Sequence, residues 1–246
     1  MNALQLDTFD LTLAEPDVTR AQDFLTIDAT IGRLAARKRQ QVDVQGPLLK
    51  SKLAWKVATY QQAVLYRVVA LAEGTRLAWN AGNFVLAILA ARALTETIAV
   101  FDEFESTLDK HLGQEDLSAI DGVIMNRTFA TRDEKLICGS QNEILAINVL
   151  TFIDKLERRY KLPIRTHYES LSERCHPNSA GHHQMYSTTD YVTGAVSFSE
   201  AKQPAVYLDA IRPALGLVAI FEQTMDSLDK SVLKVADLQD RRNPVR

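Results

Sequence analysis

Apolar residues recur along most of this chain at the three- and four-residue intervals of an α-helix. Phe24, Ile27, Ile31 and Leu34 predict a first helix from about Val18 to Val42, interrupted after that by Gln45-Gly46-Pro47. Leu53, Val57, Tyr60, Val64, Val68 and Leu71 trace one face of a second, from about Leu49 to Trp79, and Asn80-Ala-Gly-Asn83 supplies the turn after it. The third, from about Asn83 to His111, is apolar nearly all round through Phe84, Val85, Leu86, Ile88, Leu89, Leu94, Ile98 and Phe101. A helix with no polar face is one that other elements surround, so this one is expected at the centre of a bundle.

A short helix is expected over Asp116 to Met125, followed by a loop. Ile144, Ile147, Leu150, Ile153 and Leu156 then predict an amphipathic helix from about Ser140 to Tyr160, broken at Lys161-Leu-Pro163. The segment from Arg165 forms its own helix, stopped by Pro177-Asn178. Small and polar residues break the pattern over 179–203, where Tyr191 to Phe198 is expected as a short hairpin or extended flap. A long stripe from Leu208 to Val235 predicts a closing helix over Pro204 to Ala236. The expected fold is therefore all-α: a multi-helix bundle with a short β-hairpin or flap around 185–199, in one domain spanning 1–246 with 1–17 as an extended lead.

Composition supports that reading, since only 10 glycines and 7 prolines punctuate 246 residues. A net charge of -3 provides no global basic field for nucleic acid. The local basic run Arg33-Leu-Ala-Ala-Arg-Lys-Arg39 reads as a solvated helix face. Cys138 and Cys175 make no disulfide framework, which points to a reducing, cytoplasmic setting, and the N-terminus lacks the pattern of a secretory signal. The apolar run Phe84 to Ala91 ends at Arg92, short of the ~20 residues of a membrane-spanning helix, so no membrane association is expected.

Candidate chemistry lies in two places. On a helical projection with Tyr168 at zero, Arg165, His176, Glu169 and Glu173 fall near 60°, 80°, 100° and 140°, beside an apolar stripe of Tyr168, Leu171 and Cys175. A histidine beside two carboxylates is equipped for general acid or base work; the bland alternative is that His176 caps its helix while Arg165 and Glu169 form an ordinary i,i+4 pair. The second place is Arg92-Ala-Leu-Thr-Glu96 on the most apolar helix, with Glu103 also within about 20° of the Arg92 direction, and charges on such a helix require partners. Either Arg92 and Glu96 satisfy each other, or their face meets that of Arg165, Glu169, Glu173 and His176 in one two-helix cluster.

Glu173-x-x-His176 has the spacing of helical di-iron carboxylate sites, but that architecture requires a second copy and the sequence has none. His176, His182 and His183 have no fixed metal-ligand spacing, so neither metal nor cofactor is expected. Glycine-rich phosphate loops and nucleophile elbows are absent from the sequence.

Ala91-Arg-Ala-Leu-Thr-Glu96, followed downstream by Tyr168-Glu-Ser-Leu-Ser-Glu-Arg-Cys-His-Pro-Asn178, resembles the bacterial HEPN-like helical proteins over about Leu49 to Asn178. The resemblance implies an α-helical bundle, commonly dimeric, and a metal-independent ribonuclease or RNA-binding component of a toxin–antitoxin or anti-phage defence system, with RNA and an antitoxin or defence protein as partners. It also implies that His176 serves as acid or base, and that Arg92 or Arg165 stabilises charge on phosphorus. The chain departs from the usual nuclease motif, an arginine separated from a following histidine by four to six residues: Arg159 to His167 and Arg174 to His182 each have seven between, and Arg165 to His176 has ten. A non-catalytic helical interaction or scaffold protein, with the polar cluster as buried structure, is the alternative.

Overall fold

A computed structural model describes residues 8–133, 135, 137, 146–200 and 203–242. The helices are α1 (Val18–Ala36), α2 (Pro47–Lys50), α3 (Lys52–Asn80), α4 (Phe84–Gly113), α5 (Leu117–Phe129), α6 (Val149–Tyr160) and α7 (Ile164–Cys175). A π-helical turn over Ser179–His183 leads through α8 (Gln184–Tyr186) to a hairpin of β1 (Ser187–Thr189) and β2 (Val196–Phe198), and α9 (Pro204–Arg242) closes the chain. The fold is an all-α bundle that carries, among the described residues, one short antiparallel hairpin, in which Ser187 pairs with Phe198 and Thr189 with Val196.

Short polar side chains start the helices. The side chains of Asp17, Ser51, Asn83, Asp116 and Asn148 each accept a backbone N–H of the first turn, satisfying donors that a helix leaves unpaired. Gly82, at a φ of 71°, makes the turn between α3 and α4 in a left-handed conformation that costs other residues energy. As expected of a helix apolar on all sides, α4 is central and packs on α3, α5, α6, α7 and α9. Phe101 on α4 meets Phe221 on α9 at 4.8 Å between ring centroids, and Phe104 meets Tyr60 on α3 at 4.7 Å.

Several boundaries differ from the expectation for identifiable reasons. α1 ends at Ala36, six residues before Val42, because α3 captures the chain there: the Gln62 side chain accepts the Arg39 N–H at 3.0 Å and the Tyr66 hydroxyl donates to the Arg39 carbonyl at 3.1 Å. α9 continues past Ala236 to Arg242 because Leu238 is buried and the Gln239 side chain accepts from the Ser51 hydroxyl at 2.6 Å and from the Leu53 N–H at 3.2 Å. α6 starts at its Asn148 cap; positions 140–145 and Cys138 of the expected features lie outside the described residues. α5 runs on to Phe129. The lead is partly docked: Phe9 is buried 4.7 Å from Phe24, and the Trp79 indole donates to the Asp10 carbonyl at 2.7 Å.

The basic run of α1 is more than a solvated face. Arg20 pairs with Asp209, Asp23 with Arg212, Arg33 with Glu222 and Arg37 with Asp226, each pair separated by 189 residues. A constant offset means that α1 and α9 run parallel in one register, with the basic residue on α1 in three of these pairs and on α9 in the pair of Asp23 with Arg212. α4 and α9 are also long and apolar enough, by length and composition, to cross a bilayer. In this fold both are core helices, and α4 buries Asp102, Glu103 and Glu105.

Candidate functional site

Arg92 and Glu96 stand one turn apart on α4, and the element they meet is α7. The Tyr168 hydroxyl sits between them: it accepts from Arg92 Nη2 at 3.1 Å and donates to Glu96 Oε1 at 2.7 Å. Arg92 Nε lies 3.3 Å from the same Glu96 oxygen, and its guanidinium stacks 5.4 Å from the Tyr168 ring centroid. The hydrogen bond that Arg92 donates to Tyr168 is the first reason that Arg92 titrates above its ordinary value, and burial is the first reason that the Tyr168 hydroxyl does. Burial likewise pushes the Cys175 thiol up, against the opposing pull of Arg92 beside it. The result is a compact, half-buried set of Arg92, Glu96, Tyr168 and Cys175, with 31% of the Arg92 and Glu96 side chains open to solvent.

The other four candidate residues do not join this set through any described contact. Arg165 turns toward α6, donating from Nε to Glu169 at 2.7 Å and from Nη1 to Asp154 at 3.0 Å, while its backbone N–H is held by Glu157 at 2.7 Å. Glu173 accepts from the Asn178 side chain at 2.7 Å. His176 does not continue the ridge. It follows the last residue of α7 with extended backbone angles, φ -82° and ψ 149°, as the residue before a proline prefers, and its side chain is exposed. The cluster expected as one splits: Arg92 and Glu96 gather around Tyr168, Glu169 and Asp154 around Arg165, Glu173 pairs with Asn178, and His176 stands exposed.

The turn after α7 is tightly built. Asn178 accepts the Gly181 N–H at 3.0 Å, and a Cβ on Gly181 would lie 1.9 Å from the His176 carbonyl oxygen, so only glycine fits. His183 Nδ1 contacts the Ser187 hydroxyl, which itself donates to the His183 carbonyl at 2.7 Å. Among the described residues no group of three His, Cys, Asp or Glu side chains is arranged to hold a metal ion.

Two features escaped the sequence reading. Tyr168 looked like core because its ring is buried; its hydroxyl bonds both members of the charged pair, and Arg92 stacks on its ring. The other is an acidic group on α4, of which the sequence reading singles out only Glu103, beside the Arg92 direction rather than with Asp102 and Glu105. Asp102 accepts from Tyr160 at 2.9 Å and from Arg159 at 3.2 Å, Glu105 from Arg159 at 3.1 Å and from Ser227 at 2.5 Å, and Glu103 from Arg127 at 2.5 Å and from Lys155 at 2.9 Å. Burial raises the carboxyl of Asp102 above its ordinary range despite those partners. For Glu103 burial acts the same way, but hydrogen bonds from Lys155 and Arg127 outweigh it and hold the carboxyl low. Burial, reinforced by Asp102, pushes the Tyr160 hydroxyl up to about 12. Three acids within four positions of the most apolar helix were the available signal, because such charges must be paired. Each is saturated by α5, α6 or α9, so the group ties those helices to α4. Comparison with protein-family models, with curated protein sequences and with solved structures finds no match for this chain.

Proposed function

We propose that this chain is a HEPN-like helical protein that acts on RNA as a metal-independent ribonuclease of a toxin–antitoxin or anti-phage defence system, working as a cytoplasmic homodimer. One observation carries the proposal. The two motifs on which the resemblance rests, 72 and 76 residues apart in the chain, meet through hydrogen bonds of Tyr168 with Glu96 and Arg92. In this reading the half-exposed Arg92 guanidinium offers a fixed positive charge to a phosphodiester. His176, exposed one residue beyond Cys175, moves the proton. The 2′-hydroxyl gives up its proton and its oxygen bonds to phosphorus; the P–O5′ bond breaks and the departing oxygen is protonated, leaving a 2′,3′-cyclic phosphate.

Incubating the purified protein with labelled transfer RNA and total RNA tests this directly. Wild type is expected to cleave, and His176→Ala and Arg92→Ala to lose cleavage while remaining folded; equal cleavage by all three, or none by wild type, removes the enzyme reading.

A second reading, a non-catalytic interaction or scaffold protein, is favoured by how many of the candidate side chains have structural partners. Arg165 is fixed to Asp154 and Glu169, Glu173 to Asn178, and Arg92 is neutralised by Glu96. On this reading Tyr168→Phe lowers stability by about 1 kcal/mol, the worth of an ordinary hydrogen bond, and changes no RNA phenotype. Unchanged stability in a denaturant melt would count against it.

A further inference from the structure

α9 carries two helix-weakening residues three positions apart on one face, Pro213 and Gly216. Proline has no N–H for the carbonyl one turn back, and glycine in a helix interior is less favourable than alanine. Both border a recess of about 300 Å³ between α9 and the start of α7, whose walls are largely apolar: Leu162, Pro163, Ile164, Leu217 and Ile220. A Cβ added at Gly216 would meet nothing within 4 Å, so the missing side chain is itself part of the open space.

The polar character of the site is sparse and specific. Thr95 lines the recess, but its hydroxyl already donates to the Ala91 carbonyl at 3.1 Å. His167 stands half-buried at the rim, and its imidazole makes no hydrogen bond among the described residues. His167 and Gly216 also border a second, more polar depression of about 560 Å³ against α1, with Asp23, Thr26 and Arg212. Arg212 is neutralised there by Asp23 at 2.9 Å, which leaves no net charge to select an ion. A half-open, mainly apolar recess at the lower end of the size range of ligand pockets, with one imidazole able to donate or accept among its lining side chains, matches the way small molecules are held.

We infer that this recess is a binding site for a small, uncharged, mainly apolar molecule of the size of an indole or an alkylphenol, held by one hydrogen bond to His167. Arg92, Glu96, Tyr168 and Cys175 do not line the recess, and the inference does not depend on the RNA reading.

Titrating indole and 4-propylphenol into the wild-type protein, followed by ligand-observed NMR and calorimetry, provides the test. Both are expected to bind. Gly216→Leu places a side chain in the recess and should weaken binding about tenfold or more, the scale on which pockets register added or missing groups. The same substitution should raise the melting temperature, because leucine favours a helix over glycine. Gly216→Ala gives a smaller effect of the same sign on both readouts, and His167→Phe weakens binding without lowering the melting temperature. The inference is overturned if neither probe binds wild type, if Gly216→Leu and Gly216→Ala bind as tightly as wild type, or if Gly216→Leu instead changes the oligomeric state by sedimentation with no probe binding, which would make the recess a protein-covered face.

Discussion

Removing Glu103 should be among the most damaging single changes in this protein, and the structure says why. Its carboxylate is 10% exposed and holds Arg127, itself 9% exposed, together with Lys155, which is 46% exposed, and the Thr107 hydroxyl. In Glu103→Ala, Lys155 recovers water, but Arg127 remains enclosed over the Phe152 ring at 4.8 Å with its neutralising partner gone. Breaking one side of such a buried pair costs about 3–5 kcal/mol, far more than losing an exposed ion pair, for which 0–1 kcal/mol is typical. Urea unfolding at neutral pH measures it. Replacing both partners by apolar residues, Glu103→Leu with Arg127→Met, should recover much of the loss, since no uncompensated charge then remains. The pH dependence has a defined sign. The folded carboxyl is held below its ordinary value, so its contribution is complete above about 4.5, the unfolded value, and is lost as pH falls through the lower folded value. The stability gap between wild type and Glu103→Gln should therefore narrow on acidification. A loss under about 1 kcal/mol in Glu103→Ala, or a double variant no more stable than the single one, would refute this account of the pair.

Other outcomes follow from neighbouring geometry. Asp102 takes its hydrogen bonds from Tyr160, Arg159 and Thr224 on the single oxygen Oδ1, so Asp102→Asn can keep them. Its folded carboxyl is raised, so the charged form weakens folding as pH rises from about 3.8 through the folded value; Asp102→Asn should gain on wild type over that window in denaturant melts, the opposite trend to Glu103. Gly181→Ala forces a Cβ into the His176 carbonyl, with an expected cost of about 1–3 kcal/mol by chemical denaturation, and it should disturb the chemical shifts of Glu173 and Asn178. Arg33→Ala removes an ion pair whose arginine is 57% exposed and should cost no more than about 1 kcal/mol, even though it interrupts the α1–α9 ladder.

The apolar periodicity of the sequence determined the all-α class, the central place of α4, the length of α3 and the position of a hairpin before the closing helix. It could do so because burial acts on every third or fourth residue, and that spacing is written locally. Helix ends were less legible where the deciding partner is remote: Gln62 and Tyr66 end α1, and Ser51 extends α9 through Gln239. The candidate site divides in the same way. Arg92 with Glu96 and Arg165 with Glu169 are i,i+4 neighbours, so their pairing was visible from spacing alone. That Tyr168 would reach the Arg92 pair depended on how α7 lies against α4, whereas the turn that takes His176 off the helix ridge is local, set by Pro177 beside it. A helical projection fixes the direction of each side chain about its own axis; only the packing of one helix on another decides which of those directions meet.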